Sequence, residues 1–124
     1  MKIRNFTGHQ INVYNPSGTT ELFRFEPEGM ARVNYVREYD TVLSAHDPKG
    51  FVPVSKIVER EIKGLPAPAK DVMYIVTNMV FDSSDRIDLL CPDELVRDEN
   101  HRVKGCSSLR RRTLTGIFAF THEQ

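Results

Sequence analysis

The sequence predicts a small, mainly β, single-domain protein: an antiparallel barrel or sandwich with at most one short helix. Three observations carry this. Apolar and polar residues alternate in short runs, as in Ile11-Asn12-Val13, which is the period of a half-buried strand. Turn chemistry punctuates the chain at spacings of about ten residues, the rhythm of all-β domains. No segment repeats and no linker divides the 124 residues, a length that suits one domain of about 100–150 residues.

Taken in order, Ile3 to Phe6 and Gln10 to Tyr14 read as strands around a Thr7-Gly8-His9 bend. Asn15-Pro16-Ser17-Gly18 is a turn, because Pro presets φ and Gly accepts φ > 0. Leu22 to Phe25 follows as the partner strand, and Glu26-Pro27-Glu28-Gly29 turns again. Met30 to Val36 alternates, with Ala31, Val33 and Tyr35 on one face. Thr41 to Leu43 and Phe51 to Val54 flank a turn at Asp47-Pro48-Lys49-Gly50. Pro53 cannot donate to a ladder, which places that strand at an edge or a bulge. Lys56 to Lys63 reads as a strand, since its β-branched content is high and Gly64-Leu65-Pro66-Ala67-Pro68 ends it abruptly. Met73 to Val76 is the most continuous apolar run and suits burial on both faces. Asn78 to Asp85 has room for a short helix, and Arg86 to Leu90 is an extended piece stopped by Pro92. Glu94 to Arg97 and Arg102 to Cys106 frame a hairpin. With Asn100-His101 as a two-residue turn, Glu99 falls opposite Arg102 and His101 takes φ > 0. These readings give a β domain over residues 1–109 and a basic, then apolar, C-terminal extension over 110–124.

Composition excludes several classes. Lys plus Arg and Asp plus Glu both number 17, so the formal net charge is zero. A general nucleic-acid coat needs a surplus of cations to displace counterions, so none is expected. The most apolar stretch, Val72 to Phe81, is about half the roughly 20 residues a spanning helix needs. No secretory leader is read at Met1 to Asn5, so the expected location is the cytoplasm, with Cys91 and Cys106 as free thiols. Cys91, His101 and Cys106 lack the close spacing of a structural zinc site, so no metal and no cofactor is expected.

The balanced charge hides an uneven distribution. Asp82 to Glu99 holds seven acids against Arg86 and Arg97, while Arg102 to Arg112 holds five bases and no acid. Either the two stretches pair with each other, or the arginines are held for an anion that their planar forks suit. His9, beside Gly8 at a bend, is a second candidate because imidazole titrates near neutrality.

Several blocks together resemble an uncharacterised family of small proteins encoded by tailed phages, prophages and some bacteria. They are Asn5-Phe6-Thr7-Gly8-His9-Gln10-Ile11, Ala31-Arg32-Val33, Gly64-Leu65-Pro66-Ala67-Pro68, Tyr74-Ile75-Val76-Thr77, Arg86-Ile87-Asp88-Leu89 and Val96-Arg97-Asp98-Glu99 through Gly105-Cys106. Gly8, Thr77 and His101 depart from that pattern. The resemblance implies a mobile-element setting and no particular mechanism. It singles out His9, Arg32, Arg86, Asp88, Arg97 and Arg102 as ligand-binding candidates, with Asp98 beside them. The first expected function is a non-enzymatic phage-type protein that sequesters a nucleotide-like or other anionic ligand, countering host defence. The alternative is a protein-interaction or structural module that forms a homo-oligomer or acts on a host protein, with Leu114 to Phe120 as a docking tail. A hydrolase using His9 or the Asp88 and Asp98 carboxylates is a third reading, for which no nucleophile–base pair or metal set can be read.

Overall fold

A computed structural model describes residues 1–43 and 50–113. The elements run β1 (Lys2–Asn5), β2 (Ile11–Tyr14), β3 (Glu21–Phe25), β4 (Arg32–Leu43), β5 (Phe51–Lys63), β6 (Val72–Ile75), α1 (Asn78–Asp82), β7 (Leu89–Arg97) and β8 (Val103–Arg111). The protein is thus mainly β with one short helix among the described residues. Six strands form a sheet in the order β1-β6-β7-β8-β2-β3, and β4 and β5 form a separate pair.

Strand direction departs from the expected antiparallel arrangement. β1–β6, β6–β7 and β2–β8 are parallel, while β7–β8 and β2–β3 are antiparallel. Alternation marks a strand but carries no direction. Direction follows from the connections, and a stretch containing α1 carries the chain back from β6 to β7, as parallel neighbours require.

The sheet curls. Every one of its strands gives a residue to one apolar cluster: Ile3, Ile11, Phe25, Met73, Ile75, Leu90 and Leu109. In a flat sheet the outer strands would lie about 24 Å apart at about 4.8 Å per step and would share no cluster. The two edges meet at Asn5, which forms an isolated bridge with Pro27 and accepts the Glu28 amide at 2.8 Å. Closure therefore rests on isolated bridges, Asn5 with Pro27 and Thr7 with Met30, and not on a continuous ladder.

A second cluster covers the opposite flank. Phe6, Ala31, Tyr74, Val76, Val80, Phe81, Leu89 and Cys91 are buried there, with Val33, Ile62, Leu65 and Val72 packed on them. Residues 73–76 are buried in succession and feed both clusters, as expected for the continuous run. Full burial of each such aliphatic side chain stabilises by about 1.5–3 kcal/mol.

Several boundaries differ from the sequence reading. Pro92 does not stop a strand but lies inside β7, opposite Leu109. The β6–β7 pairing ends at Ile75 and Leu90, so the proline falls where β7 has lost that neighbour. The β7–β8 turn is longer than two residues. His101 donates its amide to the Asp98 carbonyl at 3.0 Å, and Asp98 donates its own to the Arg102 carbonyl at 2.8 Å. Asp98, not Glu99, therefore faces Arg102. His101 does take the left-handed conformation, with φ 62. β8 continues through Arg111, so the sheet extends past Leu109. The proposed docking tail, Leu114 to Phe120, lies outside the described residues, as does most of the Asp47–Gly50 turn.

The largest difference lies in the middle of the chain. The pieces read separately as Met30–Val36, Thr41–Leu43, Phe51–Val54 and Lys56–Lys63 are two long strands, β4 and β5, paired from Arg32↔Lys63 to Leu43↔Phe51. They form one antiparallel ribbon inserted in the chain between β3 and β6.

Candidate functional site

The six candidate residues are dispersed. His9 is exposed, and its carbonyl accepts the Asn5 side-chain amide at 2.7 Å. It lines an open cleft of about 300 Å³ together with Gln10 to Asn12, Pro92, Leu95 and Val103 to Cys106. Arg97 lines a different cleft, with Pro16 to Gly18 and Glu94, and donates to the His101 carbonyl at 3.0 Å. Arg102 is exposed, and its backbone amide bonds Asp98 Oδ1 at 3.0 Å. Arg32 is exposed at the foot of the ribbon, across from Lys63. Neither cleft holds a second member of the set.

Only Arg86 and Asp88 are in direct contact, and they bind each other. Arg86 Nε reaches Asp88 Oδ1 at 2.9 Å and Nη2 reaches Oδ2 at 2.6 Å. Nη1 donates to the Pro66 carbonyl at 2.8 Å, and the guanidinium lies 5.7 Å from the Tyr74 ring centroid. The hydrogen bonds from Arg86 hold the Asp88 carboxyl below the usual carboxylate range, and Asp88 in turn raises Arg86. This bidentate geometry ties the loop at Pro66 to the start of β7, and it occupies the donors an anion would need.

Other arginines of the basic stretch are likewise engaged. Arg112 donates to the Phe81, Ser84 and Arg86 carbonyls and stacks 4.5 Å from the Phe81 ring. Arg110 lies 5.1 Å from the same ring. The Phe81 carbonyl lies in the last turn of α1 and those of Ser84 and Arg86 follow its end, where peptide oxygens favour a cation. Of the run that suggested an anion site, Arg112 thus serves the C-terminal end of a helix.

The Asn5 block is structural as well. Asn5 is fully buried. Its Nδ2 donates to the His9 and Phe25 carbonyls, and its Oδ1 accepts the Thr7 amide at 3.0 Å and hydroxyl at 2.7 Å. This one side chain joins β1, the bend and the end of β3.

Both cysteines are buried free thiols, and burial pushes both thiols up. Among the described residues no three His, Cys, Asp or Glu side chains gather as a metal set, and no helix is long and apolar enough to cross a membrane.

What the sequence reading missed is the ribbon. Twelve residues of β4 at about 3.4 Å each reach roughly 40 Å. Its foot is anchored by Val33 and Ile62 on the outer cluster. At its base Gly64 has φ +83, and a Cβ there would stand 2.3 Å from the Met30 carbonyl oxygen. Beyond the foot nothing covers it among the described residues. Val36 is 50% exposed, Tyr39 73% and Phe51 67%, and Val42, Val52, Val54 and Val58 are exposed too. The signal was present: both phases of alternation carry charged and apolar residues together, so neither face reads as a core face.

Fold and ribbon define a small mixed-sheet β domain carrying a projecting two-stranded arm. Compared with known families, curated proteins and solved structures, the chain shows no match.

Proposed function

We propose that the protein is a non-enzymatic interaction module that assembles through the β4–β5 ribbon. One observation carries this reading: a long two-stranded arm exposes large apolar side chains far from either core cluster. A monomer gains little from such surface, whereas contiguous exposed apolar area is what protein partners cover. A phage-type accessory role in a host cytoplasm is the setting we attach to it, supported by the residue blocks alone.

Sequestration of a nucleotide-like anion has less support. Arg86 and Arg112 are bound to protein acceptors, and the six candidate residues line no common cleft. A rise in melting temperature with linear or cyclic nucleotides would restore that alternative.

The test of the interaction reading replaces residues 37–57 by a two-residue Asn-Gly turn. Chain entry and exit lie side by side at Arg32 and Lys63, so the domain is expected to stay folded by circular dichroism. The intact chain is expected to sediment as an assembly, with itself or with a co-purifying protein, and the shortened chain as a folded monomer. An intact chain that is monomeric and unaccompanied overturns the reading.

A further inference from the structure

We infer that the occupant of the ribbon is a second copy of this chain, joined edge to edge along β4, antiparallel, about a two-fold axis at Val36. This rests on the interaction reading above and adds the partner, the edge and the register.

The edge follows from interruptions. β5 contains Pro53, which has no amide to donate, and a bulge where Val58 is passed over between Ile57 and Glu59. Proline and bulges are the devices that keep edge strands from pairing. β4 has neither over Arg32–Leu43 and, among the described residues, pairs on one side only. Its other row of peptide groups is a template for an added strand.

The register follows from charge. A two-fold axis perpendicular to the sheet keeps each face on its own side, so residues of like parity pair. Centred on Val36, residues 32–40 pair with themselves in reverse. Arg32 then faces Asp40 of the second copy, twice by symmetry, Val33 faces Tyr39, and Tyr35 faces Arg37. No like charges stand opposite. Centring on Arg37, Glu38 or Asp40 sets that residue against itself, and centring on Tyr39 sets Glu38 against Asp40. Like charges directly opposite are destabilising. Centring on Tyr35 shortens the shared stretch and leaves Asp40 unmatched.

Among the described residues Arg32 and Asp40 are also charges without an ion pair in the ribbon, Asp40 Oδ1 accepting only the Thr41 amide at 2.9 Å. Within the ribbon Glu38 already meets Lys56 at 3.8 Å. Arg32 stands across from Lys63 and Asp40 across from Val54, and neither has an ion pair among the described residues. The isologous contact closes after two copies.

Val36→Cys tests the axis directly. Residues opposite one another in an antiparallel pair lie about 4.5–5.5 Å apart at Cα, within reach of a disulfide, and the native thiols are buried. Mild oxidation is expected to give a covalent dimer of Val36→Cys and none of Val58→Cys. Arg32→Asp and Asp40→Arg are each expected to weaken the dimer at least tenfold in sedimentation, and the double variant to restore it. A Val36→Cys chain that stays monomeric, or a double variant that fails to recover, overturns the inference. If the ribbon-shortened chain still loses its assembly, the interaction reading stands while the β4 register falls. If shortening changes nothing, both fall.

Discussion

Arg86 grips Asp88 with two parallel bonds, 2.9 and 2.6 Å long, while its third nitrogen holds the Pro66 carbonyl. Asp88→Asn breaks the pair and leaves a half-buried guanidinium with one acceptor fewer. The expected loss is about 1–2 kcal/mol, between exposed and buried ion pairs, read as a lower urea midpoint. The pH dependence has a definite sign. The folded carboxyl titrates below its unfolded value, so its contribution is complete above about pH 4. It is lost as pH falls through the depressed folded value. The acid limb of the stability curve is expected to flatten in Asp88→Asn, and an unchanged limb would remove the pair from the account.

Neighbouring arginines should behave differently. Arg112 serves the carbonyls after α1, whereas Arg111 is exposed. Arg112→Gln is expected to cost about 1–2 kcal/mol through lost capping and charge-assisted bonds. Arg111→Gln is expected to stay within about 0.5 kcal/mol, as surface substitutions do. Equal effects in chemical denaturation would contradict the assignment.

Gly105 sits where β8 passes β2. A Cβ there would stand 2.3 Å from the Asn12 carbonyl oxygen and 2.7 Å from the Tyr14 ring. The obstacle is backbone, so Gly105→Ala must push the strands apart. The expected loss is about 1–3 kcal/mol, with amides of β2 exchanging faster in hydrogen-exchange mass spectrometry.

Cys91 and Cys106 are 0% and 1% exposed, and burial disfavours their thiolates. Neither is expected to react with a thiol reagent in the native protein, and both should react on unfolding. Rapid labelling of the folded chain would show that the flank around Cys91 opens.

Much of this architecture was legible from residue patterns. The run Met73 to Val76 announced a strand buried on both faces, and α1 falls within Asn78–Asp85. His101 takes the φ > 0 foreseen for it. Strand direction was not legible, because alternation is the same for parallel and antiparallel neighbours. The curl was hidden too, since its edges are joined by contacts between residues far apart in the chain, such as Asn5 with Phe25 and Arg4 with Glu28. For the candidate site, Arg86 and Asp88 stand in one block and bind each other. Sequence spacing, however, does not distinguish an arginine facing a ligand from one facing a carbonyl, as Arg112 does. The ribbon escaped because charges interrupt it on both faces, Glu38 and Lys56 on one and Arg37 and Arg60 on the other, so it read as fragments.

The insertion of that ribbon divides the chain into two cooperating pieces. One carries β1 to β4 and the other β5 to β8, and the interior cluster takes residues from both. A peptide break between Leu43 and Phe51 would leave every described strand whole and would leave each piece one half of a long zipper to find the other by. Two polypeptides cut there are expected to reconstitute the domain when mixed, regaining the near-ultraviolet circular dichroism of the intact chain. The same position would then serve to make folding conditional on bringing two fused proteins together.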